Sequence, residues 1–228
     1  MSSIVENLEQ VMRQMRLAEQ QSNRKPGSVK LLAVSKKHPS SAIREAFSAG
    51  QLAFGENYVQ EALAKQQEVQ DLPLEWHLIG PLQSNKAKEV AQQFDWLHTL
   101  DRLKLAEKLS QHRPAEVPPL NVLLQVNISQ DPAKAGILPE EITSLAQQVA
   151  QLPGLQLRGL MTILALDLSP EQQRADYMKM QQHLTQLQAI LPDCDTLSMG
   201  MSDDLPQAIA AGSTMVRIGT AIFGTRGI

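Results

Sequence analysis

The chain has a single cysteine, Cys194, among 228 residues, which excludes an internal disulfide and leaves no Cys/His cluster at zinc-ligand spacing, so no metal is expected. A reducing compartment is the natural setting. Charge of one sign is never concentrated: 21 basic and 24 acidic side chains are interspersed, for a net charge of −3. Without a basic tract to follow phosphates, nucleic acid is not expected as a partner. Long apolar runs are missing too. Glu6, Glu9, Arg13, Arg16 and Glu19 break the opening segment, so no signal peptide is expected there, and no later run is long enough to cross a bilayer. The expected location is the cytoplasm, with no membrane partner.

What is present is an ordinary globular balance, 43% hydrophobic and 20% charged, on a chain long enough for a sizeable core. Ile4, Leu8, Val11, Met15 and Ala18 recur at spacings of three and four, which predicts an amphipathic opening helix. From residue 30 onward eight short apolar runs follow, at 31–35, 52–55, 75–79, 96–99, 122–128, 157–163, 196–199 and 215–218. They are nearly continuous rather than alternating, as strands buried on both faces require. Between them lie amphipathic stretches such as 40–49, 58–69, 139–151 and 170–190. Pro39, Pro139, Pro170 and Pro206 mark helix starts, and Gly50 and Gly212 sit where helix ends belong. Eight βα units predict an α/β fold, a single (β/α)8 TIM barrel with an extra N-terminal helix, in which residues 1–228 form one domain. The same alternation permits an open doubly wound sheet, but no G-x-G-x-x-G follows the first strand and no G-x-x-x-x-G-K-[ST] occurs.

Barrel sites gather at the C-terminal strand ends. The first run, LLAVSKK, ends in Lys36, where partial burial and the neighbouring Lys37 favour the neutral amine that imine formation needs. Two solvated lysines are the bland alternative. The last run, RIGTAIFG, places Arg217 at a strand end before Gly219 and Thr220, where backbone N–H groups at a helix start make a phosphate cup. A plain strand-to-helix turn with a surface arginine is the alternative there. The seventh run ends in SMGMSDD, whose hydroxyls at Ser198 and Ser202 are expected to converge with the amides after the last run on the same anion, although Ser202 alternatively caps the next helix. Asn57 caps a helix or contacts a ligand, His77 in an apolar strand reads as a satisfied core histidine, and Met199 and Met201 read as packing.

Taken together and in order, AVSK, FGENYVQE, WHLIGPLQSNK, GLMTI, LSMGMSDD and RIGTAIFG resemble the YggS-type pyridoxal phosphate homeostasis family across residues 30–224. The resemblance implies a barrel carrying pyridoxal 5′-phosphate as a Schiff base on Lys36, with phosphate contacts from Ser202, Gly219 and Thr220. The chain is also similar to the N-terminal barrel of alanine racemase, which implies that Arg217 stands against the pyridine nitrogen. A guanidinium there disfavours ring protonation and weakens the ring as an electron sink. Asp131 precedes Lys134 where the family often has a glutamate, so the loop's role is left open. The racemase also uses a second, all-β domain and a partner's tyrosine, whereas only Tyr58 and Tyr177 occur here. Inverting a carbanion needs donors on both faces, and Lys36 serves one.

These readings lead to a monomeric binding protein. It maintains cofactor and amino/keto acid homeostasis through imine exchange, passing cofactor to apo-enzymes, with no efficient catalysis and no catalytic residues assigned. A pyridoxal phosphate-dependent amino-acid racemase is the principal alternative, and a Schiff-base aldolase the third.

Overall fold

Eight parallel strands each pair with the next, and the last pairs with the first, closing a barrel in sequence order. They are β1 (Lys30–Val34), β2 (Ala53–Glu56), β3 (Glu75–Leu78), β4 (Trp96–Leu100), β5 (Leu120–Gln125), β6 (Leu155–Met161), β7 (Thr196–Ser198) and β8 (Met215–Ile218). A computed structural model describes residues 3–224. Each strand is followed by a helix: α2 (Ser40–Ser48), α3 (Val59–Glu68), α4 (Ala87–Gln93), α5 (Leu103–His112), α6 (Ile142–Val149), α7 (Pro170–Gln188), α8 (Leu205–Ala210) and α9 (Thr220–Phe223). The barrel expected from the alternation is therefore the fold observed.

The extra helix, α1 (Ile4–Gln21), buries Leu8, Val11, Met15 and Ala18, the predicted stripe, and Ser3 and Glu6 form a capping box at its start. It packs against α2, α8 and α9. Asn7 Nδ2 donates to the Ile222 carbonyl at 2.8 Å, which ties α1 to the helix that follows the closing strand. Glu19 on the same helix is fully buried and accepts the Gly27 and Val29 N–H groups at 2.8 Å each. Those bonds set the entry into β1.

Pro39 caps α2, Pro170 opens α7 and Pro206 lies in the first turn of α8, while Gly50 and Gly212 end their helices at φ of 90° and 104°. The stretch at 139–151 splits into a 3-10 turn, Pro139–Glu141, followed by α6. Side chains alternate between two cores. Leu31, Ala33, Phe54, Leu78, Leu97 and Val216 pack outward under the helices. Leu32, Ala53, Trp96, Leu123, Met161 and Met215 fill the barrel interior. Above that apolar plug the inward positions turn polar: His77, His98, Ser198 and Arg217 are all buried.

Candidate functional site

The turn after β1 is held from outside the barrel. Ser35 follows the last strand residue, and its hydroxyl donates to Glu56 Oε1 at 2.6 Å. Lys65, reaching in from α3, donates to the Ser35 carbonyl at 2.8 Å and to Glu56 and Glu61 at 2.7 Å each. Glu61 in turn accepts the Lys37 N–H. The two backbone positions flanking Lys36 are thus both fixed by one buried ionic cluster. Lys36 itself is half-buried, and Lys37 is exposed with φ of 63°. Burial raises the Glu56 carboxyl above its ordinary value, although Lys65 and Ser35 pull it the other way. Lys65 lies four residues after Glu61, a spacing visible in the sequence, but nothing there shows that Glu56 points outward to meet it.

The closing strand lies beside that turn. β8 pairs with β1, with Leu32 opposite Arg217, and His38 stacks on Phe223 of α9 with ring centroids 5.1 Å apart. Gly219 passes close to β1, since a Cβ built on it would lie 3.3 Å from the Val34 carbonyl oxygen. It is half-buried and Thr220, the first residue of α9, is exposed. The first N–H groups of a helix have no intrahelical partner. The Arg217 N–H donates to the Gly200 carbonyl at 3.0 Å, which joins the ends of β7 and β8. The backbone thus gathers the ends of β7, β8 and β1 at one side of the barrel mouth.

Arg217 is 5% exposed. Its Nη1 donates to Ser198 Oγ and its Nη2 to the Thr162 carbonyl, both at 2.9 Å. Burial lowers its pKa from the ordinary guanidinium value, and nearby Tyr177 and Asp204 oppose that shift. A surface arginine on a plain turn, the alternative reading, is not what the structure contains. Ser198 lies beneath Arg217, fully buried, with its hydroxyl also 3.0 Å from His98 Nδ1.

Ser202 is exposed on the loop before α8 and does not cap that helix. The cap position belongs to Asp204, whose carboxylate accepts the Met201 N–H at 2.6 Å and the Tyr177 hydroxyl at 2.5 Å. Burial and Asp204 both raise the Tyr177 pKa. This pair is invisible in sequence because its members lie on different elements. Asn57 does not cap α3 either: Tyr58 holds that position. Alternation past outward-facing Glu56 turns Asn57 toward the mouth, and Asn57 Oδ1 is one of two buried side-chain polar atoms without a hydrogen-bond partner among the described residues. Its backbone is fixed by close approach, since a Cβ on Gly80 would come within 2.1 Å of the Asn57 carbonyl oxygen. Met199 is buried as expected for packing, but Met201 is 46% exposed: the chain leaves the barrel wall at Gly200 and carries it to the surface.

His77 is a satisfied core histidine, bonded to Glu75 at 2.5 Å and His98 at 2.9 Å. Burial holds it at about 4, against the opposing pull of Glu75. Burial works to raise Glu75 itself, but His77 and Lys30 outweigh it and hold that carboxyl at about 2. Both shifts act in the same direction on stability. A histidine whose folded pKa lies below its unfolded 6.5 refuses a proton that the unfolded chain accepts, so stability falls as pH drops from 6.5 to about 4. For His77 alone the loss is about 3 kcal/mol. Glu75 contributes stability above its unfolded 4.5 that is lost further down, toward about 2. Urea midpoints of wild type and His77→Gln across this range check the point: the variant's curve should be flatter, and parallel curves would show that His77 does not govern the slope.

A model of the alanine racemase N-terminal domain family matches residues 7–227. Over 226 residues the chain is 53% identical to a protein of Pseudomonas aeruginosa named pyridoxal phosphate homeostasis protein, covering 99% of this chain and 97% of that one. PipY of Synechococcus elongatus, solved with PLP bound, superposes with a TM-score of 0.80 at 45% identity, covering 92% of this chain and 98% of PipY. Alanine racemase from Corynebacterium glutamicum shares the fold, with a TM-score of 0.73 at 17% identity over 97% of this chain and 61% of that one.

Proposed function

Since the chain belongs to the family of pyridoxal phosphate homeostasis proteins, within the wider alanine racemase N-terminal domain family, we propose that it holds pyridoxal 5′-phosphate reversibly as a Schiff base on Lys36 and exchanges it with apo-enzymes, without efficient catalysis of its own. The observation that carries this reading is the placement of Lys36 on the turn that ends β1 and of Arg217 on β8, the strand paired with β1, one half-buried and the other buried.

The residues present suit such a ligand. Asn57 Oδ1, buried and unpartnered, supplies a polar atom at the mouth. Gly219 and Thr220 would offer backbone N–H groups to the phosphate, with the Ser202 hydroxyl across the β7–β8 side. Bound pyridoxal phosphate supplies an aldehyde that an amine can capture and a ring that withdraws electrons from an attached carbon. Arg217 stays charged at any accessible pH, so it disfavours a second positive charge beside it and makes the site a weak place for electron withdrawal. Ser198 supports that guanidinium from below.

Proton delivery is limited in the same way. Lys36 can act on one face only, and the Tyr177 hydroxyl is already given to Asp204. Tyr58, 52% exposed at the start of α3, is open to water rather than enclosed. General acid–base assistance is worth about 10² to 10⁴ in rate, so a site without the second group turns over poorly. Among the described residues no helix is long and apolar enough to cross a membrane, and no acidic or histidine cluster could hold a metal. We place the protein in the cytoplasm as a monomer.

The test is incubation of the loaded protein in deuterated water with a panel of L- and D-amino acids, alongside an apo-enzyme that requires the cofactor. We expect cofactor transfer and negligible α-hydrogen exchange. Exchange near about 10 per second, an ordinary enzyme rate, would instead make the protein a racemase-like enzyme, and no transfer would remove the carrier role.

A further inference from the structure

Four hydrogen bonds run in series through the barrel interior. Arg217 Nη1 lies 2.9 Å from Ser198 Oγ, Ser198 Oγ 3.0 Å from His98 Nδ1, His98 Nε2 2.9 Å from His77 Nδ1, and His77 Nε2 2.5 Å from Glu75 Oε1. Lys30 pairs with the same Glu75 oxygen and ends the series. Glu75 and Lys30 are the first residues of β3 and β1, whereas Arg217 and Ser198 lie near the far ends of β8 and β7. The series therefore climbs from the N-terminal face of the barrel to just beneath the mouth. Its three middle members are fully buried.

When both imidazoles are neutral, the two ends dictate the direction of every bond between them. A guanidinium can only donate and an ionised carboxylate can only accept. Glu75 therefore takes a proton-bearing Nε2 from His77, which leaves His77 Nδ1 as an acceptor. His98 must then donate from Nε2, leaving its own Nδ1 to accept. Ser198 gives its only hydrogen to that nitrogen and receives Arg217 on a lone pair. Each hydroxyl hydrogen and ring N–H in the series is then used once, on the condition that both imidazoles are neutral. The low pKa values of His77 and His98, caused first by burial, agree with this. Trp96 stacks on His77 with ring centroids 5.2 Å apart and the planes 8° from parallel, which fixes the plane of the lower ring.

We infer that Ser198, His98, His77 and Glu75 form a one-way hydrogen-bonded relay that positions Arg217 and couples the guanidinium below the mouth to a carboxylate on the opposite face of the barrel. The four are positioning residues: none needs to touch a ligand. The arrangement answers a physical problem, since a buried guanidinium is costly and Asp204 is the carboxylate whose charge acts on Arg217 directly. The relay adds a second carboxylate, Glu75, reached through polarised neutral groups, and such chains strengthen one another. Because the series has one permitted direction, breaking any link frees the groups on both sides of it to reorient.

The part of this inference that concerns the cofactor rests on the proposed binding function; the relay itself does not. The protein without added cofactor, labelled with ¹⁵N at histidine, is measured by NMR in wild type, Ser198→Ala and Ser198→Thr. Resonances of the two rings are assigned from His77→Gln and His98→Gln, out of five histidines. In wild type both rings should be Nε2–H tautomers that do not titrate between about pH 5 and 8, the range in which an ordinary histidine does. Ser198→Ala should shift the ¹⁵N signals of His77 as well as His98, although Ser198 bonds only to His98, and Ser198→Thr should restore them. A merely structural serine would leave His77 unmoved. An Nδ1–H tautomer on either ring, or a shift confined to His98, overturns the relay.

In the second arm, pyridoxal phosphate is titrated into the same variants and into Glu75→Gln, with absorbance as readout. A lost charge-assisted contact to Arg217 should weaken binding about tenfold, and Ser198→Thr should recover it. Unchanged affinity and spectrum in both Ser198→Ala and Glu75→Gln overturn the coupling. If wild type fails to bind pyridoxal phosphate at all, the proposed function falls, and the NMR arm still decides the relay.

Discussion

Lys36→Ala is expected to yield a folded barrel that no longer traps pyridoxal phosphate when the loaded protein is treated with borohydride. The loss should be complete, because the covalent link depends on one amine, and Lys36 is the only half-buried lysine on the turn that the Glu56–Lys65 cluster fixes. Lys37, the nearest alternative, is exposed, and its N–H is bound to Glu61. The fold itself should tolerate the change: Lys36 is half-buried at the mouth and lies outside both hydrophobic cores. Some ligand should still bind through its phosphate, since a charged hydrogen bond contributes roughly 1.5 to 3 kcal/mol without the imine. The check is peptide mapping of the reduced wild-type adduct together with a thermal melt of the variant. An adduct on Lys37 or Lys134, or an undiminished adduct in the variant, would show that the amine has been misassigned.

Lys65→Ala should be the most destabilising single change outside the apolar core. Lys65 is 7% exposed and Glu56 is fully buried, so removing the ammonium leaves a carboxyl group in a dry site with only Ser35 to bond it. Breaking a buried pair in this way costs about 3–5 kcal/mol. The same substitution frees the Ser35 carbonyl and Glu61, so the turn carrying Lys36 should loosen and pyridoxal phosphate affinity should fall in parallel. A double variant, Lys65→Met with Glu56→Leu, separates the two effects. Stability should largely return, since an apolar pair of similar volume often replaces a buried ion pair at little cost. Affinity should not, because nothing then holds the turn. Urea denaturation and ligand titration of both variants make the comparison. A Lys65→Ala penalty below about 1 kcal/mol, the range of exposed pairs, would mean that water reaches the cluster.

The barrel was legible in the sequence because each of its parts is announced locally. Eight short, nearly continuous apolar runs, helices started by Pro39 and Pro170 and ended by Gly50 and Gly212, and the stripe from Leu8 to Ala18 all follow from local hydrophobic patterning and backbone preference. Lys36 and Arg217 were also readable, because a charged residue at the end of an apolar run is a local anomaly. Only the tertiary structure decided what those residues meet. Whether Arg217 sits at the surface or inside depends on which way β8 faces after closure, and closure depends on β1, some 180 residues earlier in the chain. Ser202 reads as either a cap or an anion contact, but Asp204 takes the cap position, and its carboxylate accepts the Tyr177 hydroxyl arriving from α7. Glu56, Lys65, Glu75 and His98 carry no local signal of a network, since each has at least one partner on another strand or helix. Local signals set the elements, because propensity and patterning act over a few residues. The buried polar networks had to wait for the fold, because a charge inside a protein is tolerated only by partners that distant parts of the chain deliver.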